Sequence, residues 1–201
     1  MKGVWAEGLE NEKNLTVAFV LSLGGKRRGS WKVAAADWYR LYADGKLIAF
    51  GPQRAAHGFA RVSEIAFFGQ TLVAEVESCH VPTFCRAFSH PFFACEIECE
   101  DGGRYEANDF SCHLLTDRVQ KVRRYSFQRG FEEVYRMQED RASLYRGAPA
   151  FPKLEISEAA VPALLPSCVR NAKLRAHDPV RLVEAGGVRT DPALPVWVER
   201  G

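Results

Sequence analysis

The stretch WYRLYADGKLIAF, from Trp38 to Phe50, restricts the fold of this chain more than any other segment. It contains two runs of β-forming residues on either side of Asp44-Gly45. This dipeptide between alternating apolar residues is the strongest short-range signal for a β-hairpin with a two-residue turn. The expected cross-strand pairs on one face are Leu41 with Ile48 and Tyr39 with Phe50. The residues expected on the opposite face are Trp38, Arg40 and Tyr42.

Several other segments share the short length, apolar content and flanking turn signals of β-strands. They are NLTVAFVLSL from Asn14, TLVAEVES from Thr71, FEEVYRM from Phe131, and a hairpin PFFACEIECEDGGRYEANDFSCHLL from Pro91 with its turn at Asp101-Gly102-Gly103. In TLVAEVES the alternation predicts one apolar face, consisting of Leu72, Ala74 and Val76. Many short strands with few helical patterns indicate an all-β domain of the sandwich type.

The segment SCHVPTFCRAFSHPFFACEIEC, from Ser78 to Cys99, packs four cysteines and two histidines together. A half-buried strand explains its last part, because Phe93, Cys95 and Ile97 alternate with carboxylates. Reduced cysteine behaves as a small buried hydrophobe, so core cysteines are the favoured interpretation. The spacings do not form the paired C-x2-C pattern of structural zinc sites. A zinc site and a reactive thiol remain as alternatives, with no ligand or nucleophile singled out and no cofactor expected.

The chain changes character near residue 138, after which seven of its ten prolines occur. Proline removes backbone donors and breaks both helices and central strands. We therefore expect residues 1–137 to form one module. Residues 138–201 are expected to be a Pro-rich connector, mostly extended or irregular, with one helical turn starting at Ser157, that leads towards a further β domain.

Net charge and the N-terminal sequence exclude several classes of protein. The formal net charge of +2 gives no general attraction to nucleic acid or anionic membranes. Two basic runs, GGKRRGSWK and RVQKVRRYSFQR, are interpreted as solvated surface, the first as a glycine-flanked loop. The N-terminus lacks a signal-peptide pattern and no window is apolar for long enough to span a bilayer. We expect neither nucleic-acid nor membrane partners, and a cytoplasmic location with reduced cysteines.

The hairpin and the residues after it resemble the N-terminal β-sandwich module of bacterial α-L-rhamnosidases and their relatives. The family's pattern is an aromatic-rich strand, an Asn-Gly or Asp-Gly turn, a return strand, then Gly-Pro and an Arg. The matching residues here are Tyr39, Arg40, Leu41, Tyr42, Asp44, Gly45, Gly51, Pro52 and Arg54. Further similar stretches are GVWAEG around Trp5 and KVRRYSFQRGFEEVYR from Lys121. The loop AAHGFARVSEIAF after Arg54 departs from the family's aromatic and acidic pattern.

The resemblance implies a jelly-roll β-sandwich similar to galactose-binding domains. It also implies that catalysis belongs to a separate α/α barrel of a larger glycoside hydrolase, which this chain is too short to contain. Hydrolysis of a glycoside needs two carboxyls at a defined separation, and no such pair can be nominated here. The implied role is a non-catalytic, carbohydrate-binding-like module. Its expected partners are the remainder of its parent chain and rhamnose-containing glycans, and a homodimer is left open.

Sugar-binding sandwiches offer an aromatic face for the C–H side of a pyranose, with nearby polar groups for the hydroxyls. The predicted carbohydrate-binding residues are Trp38, Tyr42, Arg54 and His57. Two rival hypotheses remain: a purely structural or interaction module without a sugar site, and a stand-alone Cys/His metal or thiol protein. An open aromatic groove favours the first hypothesis, whereas burial of Trp38 and Tyr42 favours the second. Convergence of three or more Cys or His side chains favours the third.

Overall fold

The computed structural model describes residues 1–52, 55–84, 88–136 and 140–169, together with the strand residues 188–189 and 197–198. The described strands, in chain order, are β1 (Gly3–Ala6), β2 (Leu15–Ala35), β3 (Trp38–Ala43), β4 (Lys46–Gly51), β5 (Phe59–Ser78), β6 (Phe93–Cys99), β7 (Arg104–Glu106), β8 (Ser111–Leu114), β9 (Lys153–Leu154), β10 (Ile156–Ala159), β11 (Ala163–Val169), β12 (Val188–Arg189) and β13 (Trp197–Val198). A 3-10 turn spans Ala107–Asp109 and a single-turn helix, α1, spans Ala142–Tyr145. Within these ranges, no helix is long and apolar enough to cross a membrane.

Two long strands, β2 and β5, pair with each other along nearly their whole length and belong to both layers of the fold. The β2–β5 ladder is interrupted by one irregularity between Ser22 and Arg27. On one side of it, the strand order is β9-β8-β2-β5-β3-β4, and on the other side it is β10-β1-β6-β2-β5-β11. All pairs in these two layers are antiparallel except β5 with β11.

The main core lies between the two layers and consists of the inward-facing residues of the alternating strands. Phe19 of β2 stacks on Phe93 of β6 with ring centroids 4.4 Å apart, which joins one layer to the other. The Trp5 ring of β1 lies beside the same Phe19 ring, with ring centroids 6.2 Å apart. These contacts define a sandwich, so the predicted all-β sandwich fold is confirmed. The predicted inward faces of β5 (Leu72, Ala74 and Val76) and β6 (Phe93, Cys95, Ile97 and Cys99) are also confirmed.

The hairpin predicted at Asp44-Gly45 is formed by β3 and β4, with positive φ at both turn residues (47° and 78°), as a type I′ turn requires. The predicted register is wrong beyond the turn. Leu41 lies opposite Ala49, and Tyr39 lies opposite Gly51, because β4 has one extra residue, Ile48, between the pairs Tyr42–Leu47 and Leu41–Ala49. Gly51 is required here, since a Cβ at this position would collide with the Tyr39 ring.

Two segments predicted as loops are strands in the structure. GGKRRGSWK lies inside β2, and most of the segment after Arg54 lies inside β5. In β2, Trp31, Val33 and Ala35 belong to the main core while Lys32 is half-buried on the other face, so the second half of this strand does alternate. The glycine pair at the irregularity disguised this pattern. Gly24 has φ of 72°, which a strand cannot accommodate without a local break.

The segment 140–169 lies against the sandwich. Leu144 of α1 and Phe151 are buried against Val73 and other outward-facing residues of the first layer. Strand β10 pairs with β1, so the helical turn predicted at Ser157 is wrong: Ser157 lies opposite Trp5 in an extended ladder. The edge of β1 offered backbone partners, which outweighed the weak helical preference of the Ser-Glu-Ala-Ala sequence. The predicted division into two domains at residue 137 stays a prediction.

Two further sequence predictions concern the C-terminal half. FEEVYRM is not one of the described strands, and its described residues form only single bridges, from Phe131 to Arg124 and from Tyr135 to Arg118. In the predicted connector, strands β12 and β13 pair antiparallel, whereas the other residues after Val169 lie outside the described residues.

We expect Phe19→Ala to lower the free energy of unfolding by about 3–5 kcal/mol, because it removes a fully buried ring from between the layers. Phe68→Ala is the matched control, since this ring is 52% exposed and contacts mainly the Arg28 guanidinium. Phe68→Ala should lower the free energy of unfolding by less than about 1 kcal/mol. Urea unfolding monitored by circular dichroism measures both values, and equal losses would contradict the placement of Phe19.

Candidate functional site

Trp38 and Arg40 lie on the outward face of β3, as predicted, and are half-buried. Trp38 stacks on Phe50 of the neighbouring strand with ring centroids 5.1 Å apart and planes 21° apart. The Arg40 guanidinium lies 5.7 Å from the centre of the same Phe50 ring. We call these three residues the Trp38 shelf. Phe50, which the predicted register assigned to the opposite face, is exposed here and extends the aromatic surface.

Tyr42 lies on the same face of β3 but is covered by the C-terminal segment. The Tyr42 ring contacts the Tyr145 ring of α1, with ring centroids 4.9 Å apart. Burial raises the pKa of the Tyr42 hydroxyl, and the negative charge of Glu75 raises it further. The structure therefore keeps Trp38 and Tyr42 on one face but builds Tyr42 into a packed contact, as the structural-module hypothesis expects.

The other two predicted residues are not brought into this shelf by any described contact. His57 is exposed in the turn between β4 and β5. Arg54 lies outside the described residues. The assignment of Trp38, Tyr42, Arg54 and His57 as a carbohydrate site stays a prediction.

Beneath the same face lies a buried set of charges that sequence reasoning did not identify. Glu77 of β5 pairs with Arg118 at 3.1 Å, and both side chains are almost wholly buried. Arg118 also donates to Thr16 Oγ1 at 2.9 Å. Buried ions are tolerated only when paired and hydrogen-bonded, so this pair attaches the segment after β8 to β2 and β5.

A second buried carboxylate, Glu75, extends this set toward α1. Arg141 lies 3.3 Å from Glu75 and 2.8 Å from Asp117, and so bridges two acids. The Tyr145 hydroxyl donates to Glu75 at 3.1 Å. Burial raises the pKa of Glu75 despite the opposing charge of Arg141. The contacts of Glu75 with Arg141 and Tyr145 fasten residues 141–145 to the sheet, which favours a structural role for this carboxylate.

The cysteine chemistry considered from sequence finds little support among the described residues. Cys79, Cys95, Cys99 and Cys112 are buried free thiols. Burial raises the pKa of Cys112 to about 12 and raises the pKa of Cys95 and Cys99 as well, so these thiols stay protonated at neutral pH. In the described ranges, no three His, Cys, Asp or Glu side chains are placed to hold a metal ion.

Two loops at one end of the first layer carry aromatic rings that point into solvent. Phe84 follows β5 and is 78% exposed, while Tyr125 and Phe127 follow β8 and are 57% and 74% exposed. Phe84 and Phe127 meet edge to face with centroids 6.1 Å apart. We call these three residues the loop-aromatic cluster. The sequence signal for this cluster was the alternation of aromatic with basic residues in RVQKVRRYSFQR, a segment that was interpreted as solvated surface.

Open grooves also lie beside the second of these loops. One of about 560 Å³ is lined by Glu12, Lys13, Lys121 and Phe131, among others, and not by Trp38 or Tyr42. Gln120 in its wall already donates to Glu12 at 2.7 Å and to the Lys13 carbonyl at 3.1 Å. This groove is therefore polar and internally hydrogen-bonded, unlike the aromatic surfaces at the shelf and the loops.

Comparison with known proteins gives one informative match. No protein-family model and no curated protein matches the chain. Among solved structures, the chain is similar to a GH78 family rhamnosidase of Bacillus sp. GL1, with a TM-score of 0.60 and 18% identity. The match covers 82% of this chain and 19% of that chain, so this chain spans about one fifth of the rhamnosidase's length. At this identity the likeness shows the fold alone.

A weaker match is a lectin from Pleurotus ostreatus in its apo form. It has a TM-score of 0.35 and 14% identity, covering 76% of this chain and 45% of the lectin. This similarity is too low to support any conclusion about the chain.

We expect Arg118→Met to lower the free energy of unfolding by about 3–5 kcal/mol, because it leaves Glu77 buried without its counter-charge. The double variant Arg118→Met/Glu77→Leu should recover most of that loss, since it removes both charges and keeps apolar volume. Urea unfolding of the four proteins in this cycle provides the measurement. A double variant no more stable than Arg118→Met would show that the pair is not coupled as the structure indicates.

The raised pKa of Glu75 predicts a pH-dependent contribution to stability. A carboxyl whose pKa is higher in the folded state binds more protons when the protein is folded. Its contribution to the free energy of unfolding is therefore fully present below the unfolded-state pKa of about 4.3. That contribution is lost as pH rises through the folded-state pKa. The stability of the wild type relative to Glu75→Gln should therefore fall as pH increases from 4 towards neutrality. Chemical unfolding at a series of pH values measures this difference, and a difference that rises with pH would refute the expectation.

Proposed function

We propose that this chain is a non-catalytic, carbohydrate-binding-like accessory module of a larger glycoside hydrolase related to α-L-rhamnosidases. The observation that carries the proposal is the fold likeness to a GH78 rhamnosidase, which extends over 82% of this chain but only 19% of that protein. The sequence resemblance of the Trp38–Arg54 region points to the same family. In this proposal, the remainder of the parent chain is the partner and the cytoplasm is the location, consistent with four buried free thiols.

The Trp38 shelf is the part of the predicted site that suits a sugar. Trp38 and Phe50 lie nearly parallel on the outward face of the β3–β4 hairpin, and Arg40 supplies hydrogen-bond donors next to them. An aromatic surface with adjacent polar groups suits a pyranose ring, whose C–H face packs on the rings while its hydroxyls bind the polar groups. Rhamnose-containing glycans are the ligands proposed for this shelf.

A purely structural module is the second candidate, and one observation favours it. Tyr42 is covered by Tyr145, and Glu75 beside it is bonded to Arg141 and Tyr145, so half of the predicted face is occupied by the protein itself. On this alternative, the face fastens the C-terminal segment and the Trp38 shelf contacts a neighbouring domain in place of a sugar.

Titration of the chain with L-rhamnose and a rhamnose-containing oligosaccharide separates the two candidates. We expect binding that Trp38→Ala weakens about tenfold, which corresponds to about 1.4 kcal/mol. Trp38→Phe is the matched control, because it keeps a ring on the shelf and should retain the calorimetric affinity while losing any indole fluorescence change. Unaltered binding by Trp38→Ala would remove the shelf from the site, and no binding by the wild type would favour the structural module.

A further inference from the structure

The loop-aromatic cluster exposes more apolar ring surface than a folded domain normally leaves in water. Phe84 and Phe127 are 78% and 74% exposed, and they contact each other from different loops. Single exposed rings are common on protein surfaces, whereas grouped exposed rings mark sites of interaction. The two rings lie edge to face, so ring surface remains open for a ligand.

The two loops are linked by hydrogen bonds that hold the rings in place. The Phe84 amide donates to the Gln128 carbonyl at 3.1 Å. The Arg124 guanidinium donates to the carbonyls of Pro82 at 2.6 Å, Phe127 at 2.8 Å and Arg129 at 2.9 Å. A single side chain therefore connects the loop that carries Phe84 to the loop that carries Phe127. Rings fixed in this way lose little conformational entropy when a ligand binds.

The guanidiniums of Arg124 and Arg129, in the loop that carries Tyr125 and Phe127, are directed at the protein, which favours a neutral ligand. Arg124 uses its donors on backbone carbonyls, and the Arg129 guanidinium lies 5.3 Å from the centre of the Tyr125 ring. Farther along the same segment, Glu132 and Glu133 are exposed acidic residues. A phosphate-bearing strand would need free cations beside the rings, whereas a neutral sugar needs ring faces with hydroxyl and amide groups nearby. Ser126 and Gln128 provide such groups.

We propose that Phe84 and Phe127 form a platform for the apolar C–H face of a neutral sugar ring, with Tyr125 beside it. The inference rests on the proposed carbohydrate-binding role and adds a second contact for the same glycan class. The Trp38 shelf and the loop-aromatic cluster lie at the same end of the first layer. Trp38 lies opposite Glu77 of β5, and the next residue, Ser78, is the last of β5 and lies opposite Leu15 at the start of β2. The loop that carries Phe84 follows Ser78. Engagement of both surfaces by one glycan longer than a single residue would raise its affinity by an avidity effect.

The experiment uses the whole chain, with L-rhamnose and a neutral rhamnose-containing oligosaccharide as probes. Calorimetry compares wild type, Phe127→Ala and Phe84→Ala/Phe127→Ala with the control Phe68→Ala, an exposed ring on another part of the sheet. The double variant should weaken oligosaccharide binding at least tenfold, and the control should stay within twofold. Saturation-transfer NMR should show transfer from aromatic protons to the C–H protons of one sugar face, reduced in the double variant. Thermal unfolding of each variant confirms that it is folded.

Two results overturn the inference, and they are distinguishable from each other. If wild type binds the oligosaccharide and the double variant retains its affinity within twofold, the loop platform is refuted while the proposed function stands, and Trp38→Ala measured in parallel shows where the sugar binds. If wild type binds neither probe at millimolar concentration, the loop platform fails together with the sugar-binding part of the proposed function. Self-association in sedimentation velocity that the double variant abolishes would then assign the cluster to a contact between two copies.

Discussion

The antiparallel ladder between β2 and β5 is the interaction on which the other strands depend. It runs from Leu15 opposite Ser78 to Val33 opposite Ser63, through both layers. Strands β8 and β6 add to the free edge of β2 in the two layers, and β3 and β11 add to the free edge of β5. The bend in this ladder, at the irregularity after Ser22, brings Phe19 of one layer onto Phe93 of the other.

Local sequence patterns predicted those parts of the fold whose cause is local. The Asp44-Gly45 turn and the alternating face of β6 follow from backbone sterics and from periodicity, and both are present. The hairpin register was missed because a single extra residue in β4 shifts every pair beyond it. The prediction ended strand β2 too early, because Gly24 is typical of a turn. In the structure, β2 continues beyond Gly24 and pairs with β5 again from Arg27 onward.

The candidate sites depend on contacts between distant segments, which no pattern in one strand reveals. Glu75 and Glu77 were part of a predicted strand, but their partners, the half-buried Arg141 and the buried Arg118, come from segments interpreted as connector and solvated surface. Phe84 and Phe127 likewise meet where Arg124 and the Phe84–Gln128 backbone hydrogen bond join their loops. The aromatic surface of the hairpin could be predicted as far as Trp38, but the covering of Tyr42 by residues after 140 could not.

The pairing of β1 with β10 has a consequence for synthesis of the chain. Gly3 lies opposite Ala159, so β1 finds one of its strand partners only after some 150 further residues have been translated. Until then one edge of β1 has no ladder, and an open edge is where nascent chains associate wrongly. A ribosome that stalls before Ala159 therefore holds a chain whose second layer cannot be completed, however well the β3–β4 hairpin has already formed.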